Sequence, residues 1–216
     1  MTTILLTGFE PFGGEQSNPS WESVRRLDGQ LLSDGSHIVA AQLPCQFGTA
    51  LAVLKHHIAQ SRAEIVICVG QAGGRAELSL ERVAINVDDA RIPDNAGAQP
   101  IDAAIVENGP VGYFSSLPIK AIVQSLHNKG IPAAVSQTAG TYVCNHVFYG
   151  LMHLAVKHPT IRRAGFVHIP YLPEQAVAYA GAPSMSLQMM MEGLLIMLET
   201  SLHRGADVSV TGGSTH

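Results

Sequence analysis

Short, almost wholly apolar segments alternate with longer segments of helical periodicity along this chain of 216 residues. Runs rich in β-branched residues and leucine predict buried strands, whereas apolar residues that recur every three or four positions predict helices. By these signals, strands are predicted at residues 2–7, 37–43, 64–70, 131–136 and 165–168, and a period of two predicts a hairpin or sheet-edge strand at 79–87. Helices are predicted from Pro19, around residues 47–58, at 118–129, from about Cys144 to 157, and at 184–203.

This alternation predicts an α/β protein with an open, twisted, largely parallel sheet and helices on both faces. We expect one domain over residues 1–204, because the sequence has neither an internal repeat nor a second set of elements. Residues 205–216 are small and polar, so we expect a loosely ordered C-terminal tail. Ligands of such sheets bind beyond the carboxyl ends of the strands, which directs attention to the residues there.

Composition narrows the classes of partner. The net charge of −4 and pI near 6.2 give no basic surface for nucleic acid. No run approaches 18 uninterrupted apolar residues, so no membrane span is predicted. The N-terminus lacks the basic region and cleavage site of a signal peptide, and three well-separated cysteines do not suggest a disulfide framework. These features predict a cytoplasmic protein.

Cys144 stands where a predicted strand turns through a glycine-containing loop into a helix. Unpaired backbone N–H groups and the positive end of the helix dipole gather at such a position, and both are expected to lower the pKa of a thiol from about 8.5. A sulfur nucleophile is one interpretation. The other is a small apolar residue that packs beneath the helix, as free cysteine commonly does. Cys68 lies within an apolar strand, and Cys45 lacks the glycine-containing loop, so Cys144 is the first candidate.

A thiol nucleophile needs a base, and His168 is the best placed of the ten histidines. It closes an apolar strand at the predicted ligand-binding edge, although position alone also allows a satisfied strand-end histidine. Glu81 shares strand parity with apolar neighbours, so its carboxylate should point toward the core, where it needs a partner. A histidine whose tautomer it fixes is one such partner, and an ion pair with Arg75 or Arg91 is the alternative.

Several cofactor motifs are absent. Residues 70–75 lack the spacing of a dinucleotide-binding loop, and no phosphate-loop sequence occurs. No Cys-x-x-Cys or His-Glu-x-x-His sequence supports zinc binding. We therefore expect neither a metal nor a nucleotide cofactor.

Six sequence blocks, in order and with similar spacing, resemble the pyroglutamyl peptidase I family, also called pyrrolidone carboxyl peptidases. They are residues 8–14 (GFEPFGG) with 18–20 (NPS), 70–75 (GQAGGR), 81–86 (ERVAIN), 90–95 (ARIPDN), 139–145 (AGTYVCN) and 165–170 (GFVHIP). The resemblance runs from about residue 4 to about residue 203. It implies a phosphorylase/hydrolase-like α/β fold and a cysteine exopeptidase that removes an N-terminal pyroglutamyl residue from peptides through a thioester.

The resemblance also implies roles for particular residues. The family's catalytic triad falls on Cys144, His168 and Glu81. Phe9 and Phe12 are expected to wall the pocket for the pyroglutamyl ring. We expect Gln71 to hydrogen-bond the lactam or its neighbourhood, and Arg91 to orient the triad or assist the oxyanion.

The same resemblance implies a cytosolic, cofactor-free enzyme that assembles as a homotetramer and acts on N-terminally pyroglutamylated peptides. Two alternatives remain open from the sequence. One is a cysteine amidohydrolase with the same triad and a different acyl group, and the other is a non-catalytic α/β protein that has kept the pocket.

Overall fold

Among the residues that the structure describes, six strands join into one mixed sheet, and two more form a separate antiparallel pair. The computed structural model describes residues 2–212, and within them the strands are β1 Thr3–Phe9, β2 His37–Leu43, β3 Ile65–Gln71, β4 Leu78–Glu81, β5 Val83–Ile85, β6 Gly112–Phe114, β7 Ala133–Ser136 and β8 Arg163–Ile169. The order in the main sheet is β2-β1-β3-β8-β4-β7, and β5 pairs with β6.

Strand direction reverses once across the main sheet. The pairs β1–β2, β1–β3, β3–β8 and β4–β7 are parallel, whereas β4 is antiparallel to β8. The predicted α/β class and largely parallel sheet are therefore confirmed, with β4 and β7 running against the other four strands. The predicted strand at 79–87 is divided at Arg82 into β4 and β5, which belong to different sheets.

Helices cover both faces of the sheet. They are α1 Pro19–Val24, α2 Thr49–Ser61, α3 Ile119–His127, α4 Val143–Ala155, α5 Pro173–Ala176 and α6 Leu187–His203. One apolar core lies between the sheet and α1, α3 and α6, and the other lies between the sheet and α2 and α4. Alternating residues of β1 divide between the two cores, as the two-residue period of a strand requires. No helix within residues 2–212 has the length and apolarity needed to cross a membrane.

A close approach between β1 and α1 fixes the path of the chain after the first strand. Pro19 opens α1, as the sequence predicts, and the side chain of Asn18 accepts a hydrogen bond from the Ser20 N–H and so caps the helix. A Cβ atom on Gly8 would lie 2.6 Å from the backbone nitrogen of Trp21. Glycine is therefore the side chain that allows this packing. The Phe9 N–H then donates to Ser20 Oγ at 2.9 Å, which holds the end of β1 against α1.

Residues 204–212, which follow α6, contain no helix or strand, and part of this segment lies against α3. Asp207 accepts hydrogen bonds from the backbone N–H groups of Lys120 and Ala121 in the first turn of α3, where Pro118 provides no side-chain cap. Farther along, Arg82 donates to the Gly212 carbonyl at 2.8 Å. These contacts give the path of residues 205–212. Residues 213–216 lie outside the described residues, and the predicted looseness of the tail stays a prediction.

Candidate active site

The antiparallel junction between β8 and β4 places Glu81 and His168 on one face of the sheet. Ser79 is directly opposite His168, so Glu81, two residues farther along β4, points to the same side as a diagonal neighbour. That face carries the core beneath α4. The Glu81 side chain is completely buried, and His168 is 4% exposed. Both side chains are therefore held inside the protein, as the strand parity of Glu81 predicts.

His168 and Glu81 form a short, buried hydrogen bond. The distance from His168 Nδ1 to Glu81 Oε1 is 2.7 Å. Because an ionised carboxylate only accepts hydrogen bonds, Nδ1 carries the proton, and the unprotonated Nε2 of a neutral ring is left as an acceptor. This is the tautomer that a general base requires.

Arg75 contacts the same carboxylate oxygen. Its Nη1 lies 2.7 Å from Glu81 Oε1 and donates more weakly to Ser136 Oγ at 3.3 Å, and its Nη2 donates to the Thr138 carbonyl at 3.0 Å. The two interpretations offered for Glu81 thus hold together: it is bonded to a histidine and paired with Arg75. Arg91, the other partner considered, does not make this ion pair.

Cys144 is the second residue of α4, where the loop after β7 enters the helix. In the described part of the chain, the backbone N–H groups of Val143, Cys144 and Asn145 have no hydrogen-bond acceptor, and Tyr142 at the N-cap offers no side-chain cap. These donors are the unpaired N–H groups expected at a helix start. The position predicted for Cys144 from the sequence is therefore the one it occupies.

The sulfur of Cys144 lies next to the strand pair that carries His168. Gly70 on β3 is paired with His168 on β8, and a Cβ atom on Gly70 would lie 3.0 Å from Cys144 Sγ. The same Cβ would lie 2.8 Å from the Phe166 ring, whose centroid is 4.9 Å from that of His168. The absence of a side chain at Gly70 thus makes room for the thiol beside the imidazole. Within residues 2–212, no hydrogen bond joins Cys144 Sγ to His168.

Burial raises the pKa of Cys144 well above its ordinary value, and the nearby Cys45 and Glu81 raise it further, while Arg75 opposes them. The expectation of a lowered thiol pKa is therefore wrong. The helix start was expected to favour the thiolate, but desolvation and the buried carboxylate outweigh that effect. At neutral pH the resting group is a thiol, which needs a base when it reacts.

The other two cysteines are inert by environment. Burial raises the pKa of Cys45 to about 12 and that of Cys68 to about 12. Cys45 is 4% exposed and Cys68 is completely buried. Their environments favour packing, in agreement with the order in which the sequence ranks the three thiols.

His146, the nearest histidine in sequence, already uses both ring nitrogens. Its Nδ1 lies 2.7 Å from Asp88 Oδ2, and its Nε2 accepts a hydrogen bond from the Gly48 N–H at 3.0 Å. The ring also stacks edge-on against Phe47. His146 therefore joins α4 to the loops before α2 and after β5, and it has no free nitrogen with which to serve Cys144.

A cavity of about 320 Å³ opens beside the start of α4. Its lining includes Phe12, Arg91 and Tyr142, and the rings of Phe12 and Tyr142 lie 6.2 Å apart. Phe9 lies deeper, 2% exposed, with its ring 6.3 Å from Phe166. Gln71 ends β3, and its side-chain oxygen accepts a hydrogen bond from Gln175.

Two residues at the site were not assigned a place in it from the sequence. Tyr142 forms a wall of the cavity, and the signal for it was an aromatic side chain directly before the helix that carries Cys144. Arg75 was considered only as a structural partner of Glu81, because its contact with the loop at Thr138 depends on the fold. Among residues 2–212, no three His, Cys, Asp or Glu side chains are arranged to hold a metal ion.

A partly buried thiol at a helix start, an imidazole with a free nitrogen and a carboxylate that orients it form the arrangement of a cysteine hydrolase. The profile of the family described as pyroglutamyl peptidase matches residues 2–204. The chain belongs to the pyroglutamyl peptidase family.

Individual relatives agree with this assignment over their whole length. The chain is 59% identical to the pyrrolidone-carboxylate peptidase of Cupriavidus taiwanensis and 56% identical to that of Escherichia fergusonii, with complete coverage of both chains in each case. Its structure resembles pyroglutamyl peptidase I from Bacillus amyloliquefaciens with a TM-score of 0.94 and 50% identity, covering 97% of this chain and 99% of the other. A pyrrolidone carboxyl peptidase variant from Pyrococcus furiosus gives a TM-score of 0.90 at 42% identity, covering 93% of this chain and 98% of the other.

Proposed function

We propose that this chain is a cysteine exopeptidase that hydrolyses the amide bond after an N-terminal pyroglutamyl residue. The observation that carries the proposal is the cluster of Cys144, His168 and Glu81 in a chain of the pyroglutamyl peptidase family. We assign Cys144 as the nucleophile, His168 as the general base and acid, and Glu81 as the group that orients the imidazole.

The reaction begins when His168 Nε2 takes the proton of the Cys144 thiol and the sulfur attacks the pyroglutamyl carbonyl carbon. The free N–H groups at the start of α4 are placed to hold the oxyanion of the tetrahedral intermediate, and one such donor contributes about 2.7–4 kcal/mol. His168 then gives its proton to the departing amine as the carbon–nitrogen bond breaks, leaving a thioester. A water molecule, deprotonated by His168, hydrolyses the thioester and regenerates the thiol.

The raised pKa of Cys144 suits this order of events. A resting thiol has no nucleophilic thiolate to lose to side reactions, and the proton moves only when substrate and imidazole are both in place. Glu81 stabilises the imidazolium that forms during the attack, because its carboxylate remains bonded to Nδ1.

The cavity beside the start of α4 suits the pyroglutamyl ring. This ring is a neutral, flat lactam with one N–H and one carbonyl, so it needs an apolar slot and a few fixed polar contacts. We propose that Phe12 and Tyr142 contact the ring faces and that Phe9 supports the slot from behind. Arg91 reaches the same cavity, and we assign it to the ring carbonyl or the oxyanion.

Gln71 has a more distant role in this proposal. Its side-chain oxygen is held by Gln175, which leaves its amide N–H₂ to orient neighbouring groups or the lactam. The substrates are N-terminally pyroglutamylated peptides, and no cofactor enters any step.

We also propose that the enzyme acts in the cytoplasm as a homo-oligomer, with the homotetramer implied by the family resemblance as the expected form. Exposed apolar side chains on β6 and before it support association: Phe114 of β6 is 72% exposed, Val111 next to β6 is 91% exposed, and Ile101 in the preceding loop is 75% exposed. Exposed apolar side chains of this kind are suited to cover one another between subunits.

The test is release of an amine reporter from a pyroglutamyl amide, with a prolyl amide as the control substrate. We expect the wild type to cleave the pyroglutamyl amide alone and Cys144→Ser to be inactive. Cys45→Ser is the matched control and should retain activity, because the Cys45 thiol is buried, has a pKa raised to about 12 and takes no step in the proposed reaction. Preference for a prolyl or glutamyl amide would replace the assigned acyl group. Activity in Cys144→Ser would refute the nucleophile, and an inactive wild type would favour the binding-protein alternative.

A further inference from the structure

Two side chains that can carry a positive charge contact the same oxygen of the buried Glu81 carboxylate. Both His168 Nδ1 and Arg75 Nη1 lie 2.7 Å from Glu81 Oε1. A carboxylate that is completely buried needs one compensating positive charge, and a second positive charge at the same place would be uncompensated. The charge state of the resting imidazole therefore depends on which partner supplies the positive charge.

Arg75 supplies it permanently, because a guanidinium does not lose its proton in proteins. Arg75 is also better solvated than the imidazole: its side chain is 28% exposed, against 5% for that of His168. The ion pair of Glu81 with Arg75 is therefore neutral as a unit, and a charged His168 would share a carboxylate whose charge Arg75 already balances.

The second nitrogen of the same guanidinium reaches the loop that leads to Cys144. Arg75 Nη2 donates to the Thr138 carbonyl at 3.0 Å, and Nη1 also contacts Ser136 Oγ at 3.3 Å. Thr138 lies six residues before Cys144, in the glycine-containing loop between β7 and α4. One side chain thus connects the carboxylate of the triad to the segment that carries the sulfur.

We propose that Arg75 is a positioning residue of this site: its charge balances Glu81 so that His168 rests as a neutral base, and its guanidinium hydrogen bonds hold the loop before Cys144. This proposal rests on the assignment of the triad. Arg75 does not touch the reacting atoms and acts through Glu81 and Thr138.

Other charges around His168 do not replace that of Arg75. Glu81 faces the ring from β4, and the thiol of Cys144 approaches from the start of α4 over Gly70 of β3. Ser136, from β7, is uncharged. In the part of the chain that the structure describes, Arg75 is the cation bonded to Glu81, and it also opposes the rise in the pKa of the Cys144 thiol.

The direct test is an NMR titration of His168 in isotope-labelled protein, with its signal assigned by comparison with His168→Gln. In Arg75→Gln the imidazolium loses a repelling neighbour and becomes the only partner of Glu81. The titration midpoint should therefore rise by about one pH unit, which is a tenfold gain in proton affinity. The acid limb of kcat/KM should move to higher pH by the same amount. An unmoved midpoint would overturn the proposal.

Two further variants separate the effect of the Arg75 charge from the effect of its hydrogen bond to the loop. Arg75→Lys keeps the charge, so the midpoint should stay near that of the wild type, while the loss of the Thr138 contact lowers kcat. A midpoint in Arg75→Lys that rises as far as in Arg75→Gln would contradict the role of charge. Arg82→Gln is the matched control, because this arginine follows Glu81 directly but bonds the Gly212 carbonyl. Its midpoint should not move.

A folding defect in Arg75→Gln does not remove the test. Glu81→Gln leaves Arg75 uncompensated beside the imidazole, so the midpoint should fall, and the double variant Glu81→Gln/Arg75→Gln should restore it. Equal midpoints in these two variants would overturn the charge role. The titration needs no substrate, so it is independent of cleavage. An inactive wild type refutes the proposed function, whereas an unresponsive titration midpoint refutes the role of Arg75.

Discussion

The Glu81 carboxylate explains much of the site with one side chain. It is buried because its place on β4 directs it to the face beneath α4, and its Oε1 accepts from both His168 and Arg75. Its other oxygen, Oε2, is buried and has no partner among the described residues. The two partners on the first oxygen therefore have to offset the cost of burying this carboxylate.

Replacing Glu81 by glutamine should lower kcat far more than it raises KM. The amide keeps the shape of the side chain but cannot stabilise an imidazolium, so the loss falls on the transition state, and about 10²-fold or more in kcat is expected. Steady-state kinetics on a pyroglutamyl amide gives both constants. A variant with wild-type kcat would remove Glu81 from the mechanism.

At the residue scale, strand parity and loop position were enough to select Cys144, His168 and Glu81 as candidates, and the family resemblance joined them into one site. The protonation state of Cys144 was predicted wrongly. Its position at a helix start is visible in the sequence, whereas the desolvation that raises its pKa arises only in the folded chain, where α4 packs on β3 and β8. The contact of Arg75 with the loop at Thr138 could not be predicted for the same reason, because it forms only in the folded chain.

At the element scale, the connection from β1 to α1 depends on Gly8. A Cβ atom there would meet Ser20 and Trp21 backbone atoms at 2.6 Å, and backbone atoms inside a helix cannot turn aside as a flexible side chain can. The element bounds themselves were predicted well where apolar runs are long, as for β2 and β3. The short strands β5 and β6 depend on pairing with each other, and β6 was not predicted.

Gly8→Ala should destabilise the protein by at least about 1–3 kcal/mol, the usual cost of forcing extra atoms into a packed region. Urea unfolding followed by circular dichroism gives this free energy. Gly205→Ala is the matched control, because a Cβ atom there meets no heavy atom within 4 Å. If the two variants proved equally stable, the close approach of α1 to β1 would not be what requires glycine.

At the scale of the whole molecule, the buried thiols make stability depend on pH. In the unfolded chain they ionise near 9.0, but burial raises the pKa of Cys68 to about 12 in the folded protein. Folding therefore retains a proton that the unfolded chain loses. The stabilisation is complete below pH 9 and declines as the pH rises toward about 12, by up to about 1.4 kcal/mol per pH unit for this thiol.

The measurement is the free energy of urea unfolding between pH 8 and pH 11, roughly the window in which a thiol of ordinary pKa becomes ionised. Cys68→Ala is less stable because it leaves a cavity, but its stability should fall less steeply with pH than that of the wild type. The difference between the two slopes isolates Cys68 from other groups that titrate in this range. Parallel curves would show that this thiol does not contribute.

The family, the α/β class and the enzymatic activity expected from the sequence are confirmed by the comparisons. The order of the strands was beyond sequence reasoning, because periodicity identifies a strand without naming its neighbour. The convergence of strand ends was only partly anticipated. Phe9, Gln71 and His168 lie at or near the carboxyl ends of parallel strands, whereas β4 and β7 run in the opposite direction.

The antiparallel pairing of β4 with β8 divides the main sheet into two halves that meet at one boundary. Only two residue pairs are in register across it, Ser79 with His168 and Leu80 with Val167, whereas β3 and β8 share seven. His168 lies on β8, on one side of this boundary, and Glu81 and the loop that leads to Cys144 lie on the other side. Each half of the sheet can keep its own ladder intact while a small slip along this line separates base from carboxylate. Catalytic activity should therefore report a displacement of the two halves of the sheet more sensitively than the content of secondary structure does.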